Sequence, residues 1–209
     1  QYGISGLVLM ENAGRSAAEI VDRTFGPSGR TTIFCGAGNN GGDGCVIARH
    51  LHNRGWNVNL RVIGEESRMT ADTVANWRVV SAMGIPTSVT HDASAARAEL
   101  ERAAEDCIFI DALLGTGFTG TVRSPLPEWI DAVNAAPKRA MIAIDVPSGL
   151  NADTGAPSNA TIRADLTITF VARKVGFAEP SARPYLGRVE VADIGAPREL
   201  IAQVLQSED

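Results

Sequence analysis

The chain of 209 residues carries 19 Lys+Arg against 24 Asp+Glu, a formal net charge of −5, with 44% hydrophobic residues. That length suits one globular domain with a sizeable core better than two. The acidic balance excludes the basic footprint that nucleic acid or an anionic membrane surface requires, and no apolar run approaches the ~20 residues that span a bilayer.

From Gly6 to Thr24, Leu7, Met10, Ala13, Ala17, Ile20 and Val21 recur at near-helical spacing, with Ser5 as a cap and Gly26-Pro27 as a stop. The segment Glu11-Asn12-Ala13-Gly14 interrupts this stripe with polar and small residues. Either a neighbouring backbone packs closely there, the reading favoured by itself, or Glu11 and Asn12 reach a site. Thr31 to Cys35 is a short β-prone run. Val46, Ile47, His50 and Leu51 then follow helical spacing until Gly55.

Between that run and that helix lies Gly36-Ala37-Gly38-Asn39-Asn40-Gly41-Gly42-Asp43-Gly44, a strand-to-helix turn. Glycine permits close backbone approach, and a helix start offers unpaired N–H donors with partial positive charge, so the stretch suits phosphate or another anion. The match of Gly36, Gly38 and Gly41 to a dinucleotide fingerprint is weak alone, and a merely flexible turn remains open. Asn39 and Asn40 add amide hydrogen-bonding groups. Asp43, read as lying in the first helical turn, either caps the helix or meets ligand hydroxyls. No Gly-Lys-Ser/Thr follows, which disfavours a nucleotide-hydrolysing P-loop.

Val58, Leu60 and Val62 alternate as a second strand ended by Gly64. A helix from about Thr70 to Met83 follows, with Val74, Trp77 and Val80 as its buried stripe. A short strand near Thr87 to Val89 precedes a helix from about Ser94 to Ala104. Cys107 to Ile110, ending at Asp111, and Ala140 to Ile144, ending at Asp145, are apolar runs that read as buried parallel strands. A second glycine-rich loop, Leu114-Gly115-Thr116-Gly117-Phe118-Thr119-Gly120-Thr121, lies between them, before a helix from about Pro125 that ends ahead of Pro137. Beyond Asp145 come Val146-Pro147-Ser148-Gly149, a polar loop, and strands at Leu166 to Phe170 and Arg188 to Ala192. A helical tail runs from Pro197 to Gln206.

Strands alternating with helices imply a mostly parallel sheet with helices on both faces, because parallel neighbours need crossover connections. The carboxyl ends of such strands share one edge, where ligands bind. The Gly36 to Gly44 loop, Asp111 with its glycine loop, and Asp145 with Pro147-Ser148-Gly149 therefore converge. Taken singly, each aspartate could be a cap or turn former. Ser148 lacks both a Gly-x-Ser-x-Gly elbow and a positioned His, so a nucleophilic serine is not expected.

Cys35, Cys45 and Cys107 form no metal-spaced pair and read as small buried hydrophobes of a reducing, cytoplasmic setting. No transition-metal site is expected from His50, His52 and His91. The start at Gln1 leaves room for an upstream or targeting segment.

Five motifs in order, Leu9-Met10-Glu11-Asn12-Ala13-Gly14, Gly38-Asn39-Asn40-Gly41-Gly42-Asp43-Gly44, Asp111-Ala112-Leu113-Leu114-Gly115-Thr116-Gly117, Asp145-Val146-Pro147-Ser148-Gly149 and Ala192-Asp193-Ile194-Gly195, resemble the NAD(P)H-hydrate epimerases (YjeF N-terminal domain-like) across nearly the whole chain. The resemblance implies a Rossmann-like three-layer α/β fold and interconversion of the R and S forms of NADHX and NADPHX. A partner dehydratase acting on the S form then restores the cofactor. It also implies substrate contacts at Asn39, Asn40, Gly41, Gly42, Asp43, at Gly115, Thr116, Gly117, Phe118, Thr119, Gly120, Thr121, and at Asp145, the expected catalytic residue. Potassium ligands are implied at Asn40, Asp111 and Ser148, an oxygen set that suits a hard, weakly polarising cation. Lys174 falls where members often carry a Pro-Lys pair, with Arg173 in place of the proline. A homodimer is implied, and many bacterial members continue into a dehydratase domain, so this chain is either a stand-alone epimerase or a fragment.

Two other readings compete. An ordinary Rossmann dehydrogenase would want an acidic ribose-binding residue about 20 residues past the fingerprint; Glu65 and Glu66 come later than that. A non-catalytic binding module would keep the pocket, but both site aspartates and Ser148 are intact.

Overall fold

In the computed structural model, which describes residues 3–94, 100, 105–199 and 201, the described strands form one sheet. They are β1 (Arg30–Cys35), β2 (Asn57–Ile63), β3 (Thr87–Thr90), β4 (Cys107–Ala112), β5 (Ala140–Ile144), β6 (Leu166–Phe170) and β7 (Arg188–Ala192). Their order is β3-β2-β1-β4-β5-β6-β7, and each neighbouring pair is parallel. The expectation of a mostly parallel sheet is met by one that is parallel throughout. The described helices are α1 (Gly6–Phe25), α2 (Asn39–Asn53), α3 (Ala71–Ala82), α4 (Leu126–Ala135) and the single turn α5 (Arg183–Leu186), with 3₁₀ turns at Glu66–Arg68 and Val175–Ala178.

Side-chain alternation along the strands builds two cores. Ile33 and Cys35 of β1, Ile108 and Ile110 of β4, and Ile142 and Ile144 of β5 face the layer of α1, α2 and α3. Phe34, Phe109 and Met141 point the other way, onto Trp129, Ile130 and Val133 of α4. There Phe34 meets Phe109 edge-on at 5.2 Å and Trp129 at 6.4 Å between ring centroids. A third, smaller apolar cluster of Val146, Leu150, Phe177 and Leu186 closes the sheet on its β7 side.

Glu11-Asn12-Ala13-Gly14 proves to be a packing motif. A Cβ on Gly14 would lie 2.4 Å from Val46 Cβ, so only a glycine lets α1 cross α2 this closely. Glu11 pairs with Arg49 and His50 of α2, and Asn12 donates to Ile194 O at 2.9 Å. Most of the predicted helix from Ser94 to Ala104 and most of the predicted tail helix lie outside the described residues. Among the described residues no helix is long and apolar enough to cross a membrane.

The chain steps from β1 outward through β2 to β3, then returns to place β4 on the other side of β1. The connections leaving the carboxyl ends of β1 and β4 therefore diverge, and the crevice between them is where an open parallel sheet admits a ligand.

Candidate functional site

The glycine-rich segment is mostly helix. Its turn is only Gly36 to Gly38, and α2 begins at Asn39, so Asp43 sits past the first helical turn and does not cap it. The glycines serve close packing. A Cβ on Gly36 would fall 2.0 Å from Leu113 O and one on Gly41 1.8 Å from Gly36 O, so the turn is wedged between α2 and the end of β4. Gly36 N donates to Ala112 O at 3.0 Å across that seam.

A cleft of about 1420 Å³ opens over this edge of the sheet. Asn39, Asn40 and Asp43 of α2, the whole Gly115 to Thr121 loop, and Asp145 line it. Gly41 and Gly42, expected as substrate contacts, do not. Gly41 faces Gly36 O, while a Cβ on Gly42 would strike Met10 and Thr73. Sequence reasoning missed the rim residues Arg68, His91 and Arg123 as parts of one pocket. Each is an isolated charged or titratable residue with no motif around it.

Asp111 was expected just after its strand but lies within it, paired in register with Phe34 and Ala143 and fully buried. Its carboxylate accepts from Ser148 Oγ at 2.6 Å, Ser148 N at 2.7 Å and Leu113 N at 3.1 Å. Burial pushes its pKa up from 3.8 to about 6, against the lowering effect of those bonds to Ser148 and Leu113. Ser148 Oγ in turn accepts from Leu114 N at 2.8 Å. Asn40 Nδ2 donates to Leu114 O at 2.9 Å and to Ile144 O at 3.2 Å. Those two carbonyls fix the amide orientation and leave Asn40 Oδ1 buried without a partner, the one such side-chain atom among the described residues. Asn40, Asp111 and Ser148 are thus linked beneath the cleft floor through Leu114, and Ser148 has no histidine to activate it.

Asp145 follows β5 with φ +65°, a left-handed conformation unusual outside glycine. The turn is held by Asp145 N donating to Ile168 O at 2.7 Å. Lys174 Nζ lies 2.8 Å from its Oδ1 and also donates to Phe170 O at 3.1 Å. Thr169 Oγ1 approaches the same Oδ1 at 3.4 Å. Gly115 lies between Asn40 and Asp145, since a Cβ there would be 3.3 Å from Asn40 Cβ and 3.6 Å from Asp145 Oδ2. Across the cleft, the carboxylate of half-buried Asp43 has no hydrogen-bond or ion-pair partner among the described residues. Burial, then the charge of Asp145, pushes its pKa well above the usual carboxylate value.

A crevice at the switch point of a doubly wound sheet, walled by two glycine-rich connections and holding a carboxylate paired with a lysine, places the chain among the α/β domains whose ligands enter at the carboxyl edge of a parallel sheet. Residues 6–176 match the family described as YjeF-related protein N-terminus, and the chain belongs to that family. It is 40% identical over 203 residues to the NAD(P)H-hydrate epimerase of Rhodopirellula baltica, covering 97% of this chain and 81% of that one. It is 39% identical to the enzyme of the same name from Pirellula staleyi, covering 98% and 89%. A bifunctional NAD(P)H-hydrate repair enzyme from Methanothermobacter thermautotrophicus is 39% identical over 93% of this chain, which spans 37% of that longer protein. Among solved structures, yeast ynu0 (YNL200c) superposes with a TM-score of 0.71 over 90% of this chain and 79% of that one at 23% identity, a likeness of fold.

Proposed function

We propose that this chain is an NAD(P)H-hydrate epimerase, interconverting the R and S forms of NADHX and NADPHX at C6. The observation that carries the reading is the 40% identity to an epimerase across 97% of the chain. The cleft geometry supplies a means.

Asp145 is the proton carrier. Its carboxylate lines the cleft and is paired with Lys174 at 2.8 Å. C6 of the hydrated nicotinamide bears a hydroxyl beside the ring nitrogen. Inversion follows when that hydroxyl departs as water and returns on the other face, or when its proton is removed, the C6–N bond opens and the ring recloses. In the first route Asp145 gives a proton to the departing hydroxyl and takes one back from the water that returns; in the second it takes the hydroxyl proton as the C6–N electron pair passes to the nitrogen, and gives it back on reclosure, while Lys174 holds its carboxylate in place. Asn39 and the Gly115 to Thr121 loop would hold the dinucleotide by backbone and amide donors.

Asn40, Asp111 and Ser148 fit a potassium ion. An orphaned amide oxygen, a buried carboxylate and a hydroxyl make an oxygen donor set, and a cation would satisfy Asn40 Oδ1. A bound potassium ion would supply positive charge under the cleft floor. The cytoplasm, a dehydratase consuming the S form, and a homodimer complete the proposal. Three buried free thiols and exposed Ile4, Leu7 and Val8 on and beside α1 support the first and the last of these.

The test supplies R-NADHX together with an excess of a dehydratase that consumes only the S form. Purified protein should hasten its disappearance above the spontaneous rate. No acceleration with either NADHX or NADPHX would overturn the reading.

A further inference from the structure

A second cavity, of about 450 Å³, lies away from the cleft against β7, and its chemistry is of another kind. Its floor is Phe177, Leu186 and Val189, and Arg173, Arg183 and Arg188 stand around it. None of its lining residues is acidic, in a chain whose net charge is −5. Such a concentration of guanidinium groups repels itself unless an anion offsets it.

The cations are largely uncommitted. The Arg183 guanidinium has no hydrogen bond or ion pair among the described residues. Arg173 Nη2 reaches only Val189 O, at 3.5 Å. Arg188 stands 3.5 Å from Glu190 Oε2 and 3.4 Å from Thr24 Oγ1, and it shares Glu190 with Arg23. The scaffold beneath them is fixed. Gly187, at φ +56°, leaves no room for a Cβ against Asp165 O at 2.3 Å, and Arg188 N donates to Asp165 O at 2.9 Å. Thr167 Oγ1 donates to Leu186 O at 2.6 Å, and Ala164 N to Tyr185 O at 2.9 Å. The wall that carries Arg183 and Arg188 is therefore held by buried backbone contacts.

We propose that this cavity is a second binding site, for a small organic phosphate whose apolar body rests on Phe177, Leu186 and Val189 while its phosphate meets Arg183 and Arg188. Guanidinium forks match phosphate oxygens two at a time, and the partly withdrawn apolar floor favours a ligand with a ring or short chain over a bare ion. The site is independent of the epimerase reading, since it shares no lining residue with the cleft.

Phenyl phosphate is the probe, titrated calorimetrically into the whole chain, with inorganic phosphate and benzyl alcohol as comparisons. Saturable binding of phenyl phosphate, tighter than that of either comparison, is expected. Arg183→Gln combined with Arg188→Gln should weaken it on the order of 10- to 100-fold, the loss of one or two charge-assisted contacts. Both side chains are exposed, and the melting temperature should stay within about 2 °C of the parent. Equal binding by the double variant would overturn the site. Inorganic phosphate binding as tightly as phenyl phosphate would overturn the role of the apolar floor, and no saturable binding up to about 10 mM would overturn the proposal as a whole.

Discussion

Lys174 Nζ stands 2.8 Å from Asp145 Oδ1, and both side chains are largely withdrawn from solvent, at 18% and 14% exposure. Removing either partner leaves the other partly buried and uncompensated. Asp145→Asn keeps shape and hydrogen bonding but cannot exchange protons, so turnover should drop by ~10²–10⁴-fold while substrate affinity changes far less. Lys174→Met should lower both turnover and melting temperature. Steady-state rates and binding isotherms on the two variants check this, and an Asp145→Asn enzyme within a few-fold of the parent would remove Asp145 from the mechanism.

Asp111 gives stability a pH dependence of definite sign. Its carboxyl holds a proton up to about pH 6 in the native state, against 3.8 in the unfolded chain. The native state thus binds the proton more tightly, and its stabilisation is complete below about pH 4 and lost as pH rises through about 6. The loss amounts to on the order of 3 kcal/mol. Asp43, shifted in the same direction, adds to the same slope. Chemical denaturation in tetramethylammonium buffers should show stability falling across that window, and Asp111→Asn should flatten it.

Potassium should act against that slope. A cation beside Asp111 favours its charged form, so potassium should raise the melting temperature more at pH 7 than at pH 5, relative to tetramethylammonium at equal ionic strength. Superimposable melting curves in the two salts at pH 7 would count against the proposed ion site.

Val171, at φ +69° and 38% exposed, is with Asp145 one of two non-glycine residues in a left-handed conformation among the described residues, at the end of the strand beside that of Asp145. Ala172 N donates back to Phe170 O at 2.8 Å there, so the chain reverses sharply before Lys174. A β-branched residue in this region costs on the order of 1–3 kcal/mol. Val171→Gly should relieve that strain in excess of its own entropic cost and raise the melting temperature by a few degrees. A lower melting temperature would mean that the valine side chain makes a compensating contact.

The glycines of the turn should not be equivalent. Gly36→Ala and Gly41→Ala each drive a methyl group into backbone carbonyl, 2.0 Å from Leu113 O and 1.8 Å from Gly36 O, and should cost several kcal/mol or prevent folding. Gly38 has open space around its Cβ position and extended backbone at the N-cap of α2. Gly38→Ser should therefore fold with the parent's stability or better. Thermal unfolding of the three variants separates packing glycines from the permissive one.

Much of the sheet could be read in advance because its strands are buried apolar runs, such as Ala140 to Ile144, separated by helical spacing. The strand order could not, since it rests on pairings such as Ile33 with Ile110 that lie far apart in the chain. Asp111 was misplaced because a carboxylate usually ends a buried run, and only its bonds to Ser148 and Leu113 make it tolerable inside one. Asn39 to Gly42 read as part of the strand-to-helix turn, with the helix beginning near Asp43, because glycine and asparagine are poor helix formers. Contacts with β1, β4 and α1 override that propensity. The pairing of Lys174 with Asp145 had no local signal, because the two meet only through the reversal at Val171.

The walls of the cleft come from separated parts of the chain, among them residues 36–40 and 43, residues 113–126 and Asp145, which are brought together by pairing of β1 with β4 and of β4 with β5. Such long-range parallel contacts close large loops and form slowly. Ribosomes deliver the chain in order, so no pocket exists until Ala140–Ile144 has emerged and docked. Ligand capture during synthesis or refolding would then report completion of the central sheet rather than any local element, and the nucleotide would act late, by trapping a finished framework against reopening.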